Sequence, residues 1–175
     1  ISACLVGSEM CIRDRFKATA QATGTQRHTC SGTWSGNFLN WATMSRLDVM
    51  RYVLYGGHRI TDTASKTVLE RAQIPNDLHA WVKVYSGADI NNFTPYKTTM
   101  SFCNASISAT GAPLMRVASG SWGEWASTAG RQCITGRTDE GKDDSPGSAT
   151  DLNVRVEVCA TGSGTVSYTH LTLPT

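Results

Sequence analysis

The sequence predicts an α/β fold, and three observations carry that expectation. Between Asn37 and Tyr55 apolar residues recur at three- and four-residue steps, the period of an amphipathic helix. From Leu152 to Cys159 they alternate with polar residues, the period of a half-buried strand. Around both lie stretches rich in Gly, Thr, Asn and Pro, which suit loops.

Taken in chain order, Phe16 to Trp34 has no sustained period and reads as loop, tethered if Cys30 is bridged. Ser35 or Asn37 can cap the helix that follows, because a short polar side chain accepts from the orphan N–H groups of a first turn. Met44, Leu47, Met50 and Leu54 mark its apolar side, with Phe38, Trp41 and Val53 close to it. Arg46, Asp48 and Arg51 fall largely on the remaining surface, and Asp48 and Arg51 are spaced for an ion pair worth about 0.2–0.5 kcal/mol. Gly56-Gly57 ends the helix, since glycine accepts a left-handed C-cap. One long helix packed on a sheet is the expectation. A second, shorter helix is expected from Ala64 to Ala72, stopped by Pro75. Trp81 to Tyr85 and Pro113 to Ala118 read as extended segments, and Asn91 to Lys97 as loop. Thr138 to Ser148 reads as a charged surface loop. In the last strand Leu152, Val154, Val156 and Val158 face one side, leaving Arg155 and Glu157 for solvent or a neighbouring edge.

A formal charge of +2, with acids and bases spread along the chain, argues for neither a nucleic-acid nor a membrane-surface partner. No run approaches the length needed to cross a bilayer. The opening Cys4-Leu5-Val6-Gly7-Ser8-Glu9-Met10-Cys11-Ile12-Arg13-Asp14-Arg15 and the closing Val166-Ser167-Tyr168-Thr169-His170-Leu171-Thr172-Leu173-Pro174-Thr175 resemble translated sequencing-adaptor scars. Residues 1–15 and 166–175 are therefore set aside. The remainder, 16–165, is roughly 150 residues and can hold one core. It carries Cys30, Cys103, Cys133 and Cys159, without the close C-x-x-C spacing of a zinc or redox site. Four cysteines allow three pairings. One or two disulfides in an oxidising compartment is the expectation, with unpaired buried thiols as the alternative.

No catalytic constellation is visible. Asp139, Glu140, Asp143 and Asp144 lack the alternating ligands and central glycine of a calcium loop and read as solvated. Asp77 and His79 are two apart with no nucleophile nearby in sequence, and His58 is equally unsupported. Asn92 and Asn104 head glycosylation-acceptor triplets that chance supplies easily. Arg27, Arg46, Arg51, Arg59 and Arg71 form no compact basic patch. The residues expected to matter do so structurally: Trp34, Asn37, Phe38, Asn40, Trp41, Arg46, Asp48, Gly56 and Gly57. Of these, Trp41→Ala should cost about 3–5 kcal/mol if its ring is buried in the core.

The stretch from Gly36 to Gly57, with Gly56-Gly57-His58-Arg59 at its end, resembles the PilY1/PilC-type proteins of type IV pilus biogenesis and adhesion. So do Thr67 to Lys83, Phe93-Thr94-Pro95-Tyr96, Ser101-Phe102-Cys103-Asn104, Leu114-Met115-Arg116-Val117, Trp122 to Ala126, and Val154-Arg155-Val156-Glu157-Val158-Cys159. The resemblance implies an incomplete von Willebrand factor A-like (Rossmann-type) domain with loop-rich insertions, spanning 16–165 of the N-terminal region. It implies calcium or magnesium binding elsewhere in the full-length protein, since no Asp-x-Ser-x-Ser triplet stands in this sequence. It also implies a non-enzymatic assembly and adhesion role outside the cytoplasm, in the periplasm, outer membrane or pilus-associated surface of a bacterium. Minor pilins or the pilus tip, outer-membrane secretion machinery, and host or abiotic surfaces are the implied partners. The alternative is a generic extracytoplasmic ligand-binding module unrelated to pili.

Overall fold

The computed structural model describes residues 3–6, 15–26, 28–77, 79–107, 111–128, 130–136, 138–139, 142–143 and 145–160. In chain order these form strands β1 (Ala3–Val6), β2 (Phe16–Gln21) and β3 (Trp34–Ser35), then helices α1 (Gly36–Thr43) and α2 (Arg46–Tyr55). A hairpin of β4 (Arg59–Thr63) and β5 (Lys66–Glu70) follows, then β6 (Trp81–Tyr85), a 3-10 turn (Ile90–Asn92), β7 (Met100–Asn104) and β8 (Leu114–Ser119). The short β9 (Thr138–Asp139) and β10 (Lys142–Asp143) precede β11 (Thr150–Asn153) and β12 (Arg155–Ala160).

Two larger sheets result. One has the order β3-β1-β2-β12-β5-β4 and the other β11-β8-β7-β6. Among the described residues every strand pair except β2 with β12 is antiparallel. The fold is mixed α/β with loop-rich insertions, and the described strands do not form a doubly wound parallel sheet.

Several local expectations are corrected. Phe16 to Gln21, read as loop, is a strand because both its edges are paired: β1 runs antiparallel on one side and β12 parallel on the other. Its Thr, Ala and Gln residues carry little period-two signal, so only pairing reveals it. The expected helix from Ala64 to Ala72 is the turn and second strand of the β4–β5 hairpin, with Thr63 opposite Lys66. Thr67 and Val68 suit a strand, and β5 also pairs with β12 across the chain, so long-range pairing overrides the weak helical pattern. The single strand from Leu152 to Cys159 is two, and Val154 between them marks the crossing from one sheet to the other. Glu157, expected near solvent, is 8% exposed and ion-paired to Arg15 at 2.8 Å and Lys17 at 3.8 Å. Arg155 reaches Glu70 at 2.6 Å.

The main core joins both sheets to α1. Leu5, Phe16, Trp34 and Val154 meet Phe102, Met115, Val117 and Leu152 around Phe38, Leu39 and Ala42. A second cluster covers the other face of the four-stranded sheet, where Cys103 and Ala118 pack with Ile74, Trp125 and Cys133. Strand β7 is therefore buried on both faces, Phe102 toward one cluster and Cys103 toward the other.

Two disulfides are formed, Cys103–Cys133 and Cys4–Cys30. The second brings in a residue from the string set aside at the front, and β1, from the same string, lies between β2 and β3. The side chain of Cys159 and all of 161–175 lie outside the described residues. The Cys103–Cys133 bridge closes a 30-residue separation. Replacing both cysteines by serine should cost about 3–4 kcal/mol, mostly by freeing the unfolded chain. Urea denaturation of the double variant, with and without reductant, checks this: the parent should lose stability on reduction and the variant should lose less.

Candidate functional site

The expected long helix is two helices, and the sequence between them explains why. α1 stops at Met44, whose backbone is extended at φ −68° and ψ 129°. Ser45 then caps α2: its Oγ accepts the Asp48 N–H at 3.2 Å, while the Asp48 carboxylate accepts from the Ser45 N–H at 2.9 Å. This reciprocal pair satisfies two donors that a continuous helix would not leave free. Ser45→Ala should cost about 1 kcal/mol and lower helical circular dichroism. Ser35 precedes α1 but makes no side-chain cap bond. Gly56, at φ 79°, closes α2 by donating to Tyr52 O at 3.0 Å, and Gly57 donates to Arg51 O at 3.1 Å.

Phe38 of α1 is the centre of an aromatic cluster. Its ring lies 5.1 Å from Trp41, 5.4 Å from Tyr85, 5.3 Å from Phe102 and 6.0 Å from Phe93, the last stacked. Trp34 stands deeper, edge-on to Phe16, Tyr96 and Phe102. The outer rings line an open cleft of about 240 Å³ with His28, Ser35, Asn37, Phe38, Trp41, Tyr85 and Phe93 around it. Trp34 is 3% exposed and Trp41 42%, so Trp41 is a rim residue and not a core one.

The charged groups at the rim hold the rings in place. The Lys83 ammonium lies 4.9 Å from the centroid of the Trp41 ring and donates to Trp41 O. Partial burial lowers its pKa. The Tyr85 hydroxyl donates to Asp89 at 2.8 Å, and burial, helped by that carboxylate, raises its pKa. Such a surface can bind by stacking and shape; it places no nucleophile beside a base.

Behind the cleft is a buried polar hub. The Arg71 guanidinium, in a residue 5% exposed, donates to the Asn104 Oδ1, to Leu114 O at 2.9 Å and to Ala72 O at 3.3 Å. Asn104 in turn donates to Ala42 O at 2.8 Å, at the end of α1. Asp48 accepts the Ala72 N–H at 2.6 Å. Burial lowers the Arg71 pKa to about 10, against the opposing pull of Asp48 and Glu70, so it stays charged at neutral pH. One side chain thus ties α1, β7 and β8 to the segment after β5.

Of the residues singled out from sequence, Trp34, Phe38 and Trp41 share one cluster and Asn37 lines the cleft beside them. Asn40 contributes its carbonyl to the Met44 N–H. Asp48 is committed to the α2 cap and Ala72, and Arg46 is exposed. Tyr85, Phe93, Arg71 and Asn104 were not anticipated. The first had a signal: alternation along Trp81 to Tyr85 puts Lys83 and Tyr85 on one face. Asn104 is fully buried, so its triplet is no glycosylation acceptor. His79 and Asp77 form an exposed turn, the Asp77 carboxylate accepting the His79 N–H at 2.8 Å and its Nδ1 at 2.7 Å. Those bonds, the backbone one first, lower the Asp77 pKa. The side chains of Asp139, Glu140, Asp143 and Asp144 lie outside the described ones.

Among the described residues no three His, Cys, Asp or Glu side chains converge on a metal-sized site. No helix among them is long and apolar enough to cross a membrane. Fold and cleft together define a disulfide-stapled, mixed α/β module with an open cleft lined by aromatic rings. The family described as "PilY1 homolog, small alpha/beta domain" matches residues 7–121, and the chain belongs to it. Two curated relatives are type IV pilus biogenesis factor PilY1 homologs of Xylella fastidiosa. One is 35% identical over 176 residues, covering 87% of this chain and 12% of the relative. The other is 51% identical over 45 residues, covering 26% of this chain and 4% of the relative. The chain thus spans about an eighth or less of these relatives' length. No solved structure matches it.

Proposed function

We propose that this chain is part of the N-terminal, von Willebrand factor A-like region of a type IV pilus assembly and adhesion factor, with 16–165 as the family's own segment. The observation that carries the reading is the 35% identity across 87% of the chain to a protein named for pilus biogenesis. The largely antiparallel sheets suit a module inserted in or beside an A-like domain better than that domain's own parallel sheet. The Cys103–Cys133 disulfide favours an oxidising compartment. In this reading the module works without catalysis. It presents the cleft around Phe38, Trp41, Tyr85 and Phe93 to minor pilins or the pilus tip, to outer-membrane secretion machinery, or to host and abiotic surfaces. Divalent-metal binding belongs to other parts of the full-length protein.

The test is made in a bacterium whose PilY1-type gene carries this segment. Removing 16–165 in frame should abolish surface pili and twitching while the remaining protein is still exported, and restoring the segment should recover both. Normal piliation, twitching and surface attachment after the deletion would overturn the pilus role and leave a generic binding module.

A further inference from the structure

The free edge of the four-stranded sheet is β6, and it borders the aromatic cleft. All its residues, Trp81–Tyr85, pair in unbroken register with β7 on one side, and no strand among the described residues follows on the other. Sheet edges are usually blunted by a bulge, a proline or a charge standing free at the edge. β4, at the edge of the larger sheet, has a register shift between Arg59 and Thr61. β6 has neither bulge nor proline, and its one charge, Lys83, is folded back on Trp41. Its outward N–H and C=O groups form a row that another strand can pair with.

Antiparallel pairing fixes which side chains such a strand would meet. Lys83 stands opposite Phe102 and Tyr85 opposite Met100, both in the main core, so Lys83 and Tyr85 share the face that carries the cleft. A strand added antiparallel to β6 sets one side chain opposite Tyr85 and, two residues later, another opposite Lys83. The first lies at the cleft, whose walls there are Trp41, Tyr85 and Phe93, and must be apolar. The second must be acidic. The Lys83 ammonium meets a carbonyl and a ring but no carboxylate, and burial is what lowers its pKa. Covering it without a counter-charge is unfavourable. A second β6 is disfavoured, because a two-fold register about its centre opposes Lys83 to its own copy.

We propose that β6 is a docking edge for an extended peptide segment of a partner protein, added as an antiparallel strand, with an apolar residue in the cleft and an acidic residue two positions later against Lys83. Main-chain bonds supply the affinity, and the two side chains choose the segment. Lys83 discriminates against segments that carry a base at that position. The inference rests on reading the cleft as a binding surface and not on the pilus role. Its test reads no pilus phenotype, so failure here leaves the outcome of the 16–165 deletion untouched.

The full-length protein carrying this segment is titrated with two fluorophore-labelled peptides, TVLTDVT and TVLTKVT, and binding is read by anisotropy. Hydrogen exchange is then followed with and without the aspartate peptide. That peptide should bind roughly tenfold tighter than the lysine peptide, and Lys83→Glu should reverse the preference. Amides of β6 should gain protection while those of β4 keep their rates. A reversed preference, unlike a simple loss, does not come from misfolding. Equal binding of the two peptides, binding of neither, an unreversed preference in Lys83→Glu, protection gained outside β6, or a β6 already protected by self-association would each overturn the proposal.

Discussion

Trp34→Ala should lower folding stability by about 3–5 kcal/mol, the range for deleting a buried large aromatic side chain. Trp34 is 3% exposed, and its ring meets Phe16, Phe38, Tyr96 and Phe102 at centroid distances of 5.7 to 6.5 Å. These neighbours come from both larger sheets or the segments bound to them, so the cavity would open where the sheets join. Phe16 and Phe102 are fixed by strand pairing on both sides and cannot collapse far into the space, which keeps the cavity term large. Trp41→Ala is the matched control. Its ring is 42% exposed and its main ties are Phe38, Tyr85 and the Lys83 ammonium. About 1–2 kcal/mol is expected there. Urea melts of the two variants should differ by about 2 kcal/mol or more; equal losses would contradict the burial assigned to them.

Arg71→Ala should be as severe, about 3–5 kcal/mol, for a different reason. The loss is not chiefly a cavity. Removing the guanidinium strands two buried acceptors, the Asn104 carbonyl oxygen and Ala72 O, and takes a donor from the part-buried Leu114 O, while Asn104 remains bound to Ala42 O. An unsatisfied buried acceptor costs about 1–3 kcal/mol, and here one substitution creates more than one. Arg71→Lys should recover little, because a point-like ammonium cannot reach Asn104, Leu114 and Ala72 as the planar fork does. Arg71→Ala with Asn104→Leu should be less damaging than the sum of the single changes. Additivity within 0.5 kcal/mol would show that the two side chains do not act as a unit.

How far the sequence reached can be followed at particular residues. The family was legible because the resemblance runs through many separated strings, among them Gly36 to Gly57 and Thr67 to Lys83, in one order. α2 was legible as a helix, and its beginning could have been read too. Ser45 and Asp48 stand three apart before an apolar run, the spacing of a capping box, and an unbroken period from Asn37 masked it. The hairpin of β4 and β5 was missed because Ala64 to Ala72 has a faint helical spacing, while its strand character comes from β12, some 85 residues away at the Glu70–Arg155 pair. The cleft was half visible. Phe38 and Trp41 are i, i+3 neighbours that a helix brings together, but Tyr85 and Phe93 reach them only through the β6–β7 sheet.

What the sequence by itself determined is local: the helix stop at Gly56, the alternation along the last strands, and the family. Those follow from backbone and side-chain chemistry within a few residues. Tertiary structure alone decided which faces are inside. The apolar period of α2 predicts a buried side, yet Asp48 is bound to Ala72 and turns Leu47, Met50 and Leu54 outward. Glu157 and Arg71, charged and by composition surface residues, are buried because partners distant in sequence meet them there. Hydrophobic periodicity fixes the existence of a face, but its direction is set by the few directional bonds that anchor the element to the rest of the fold.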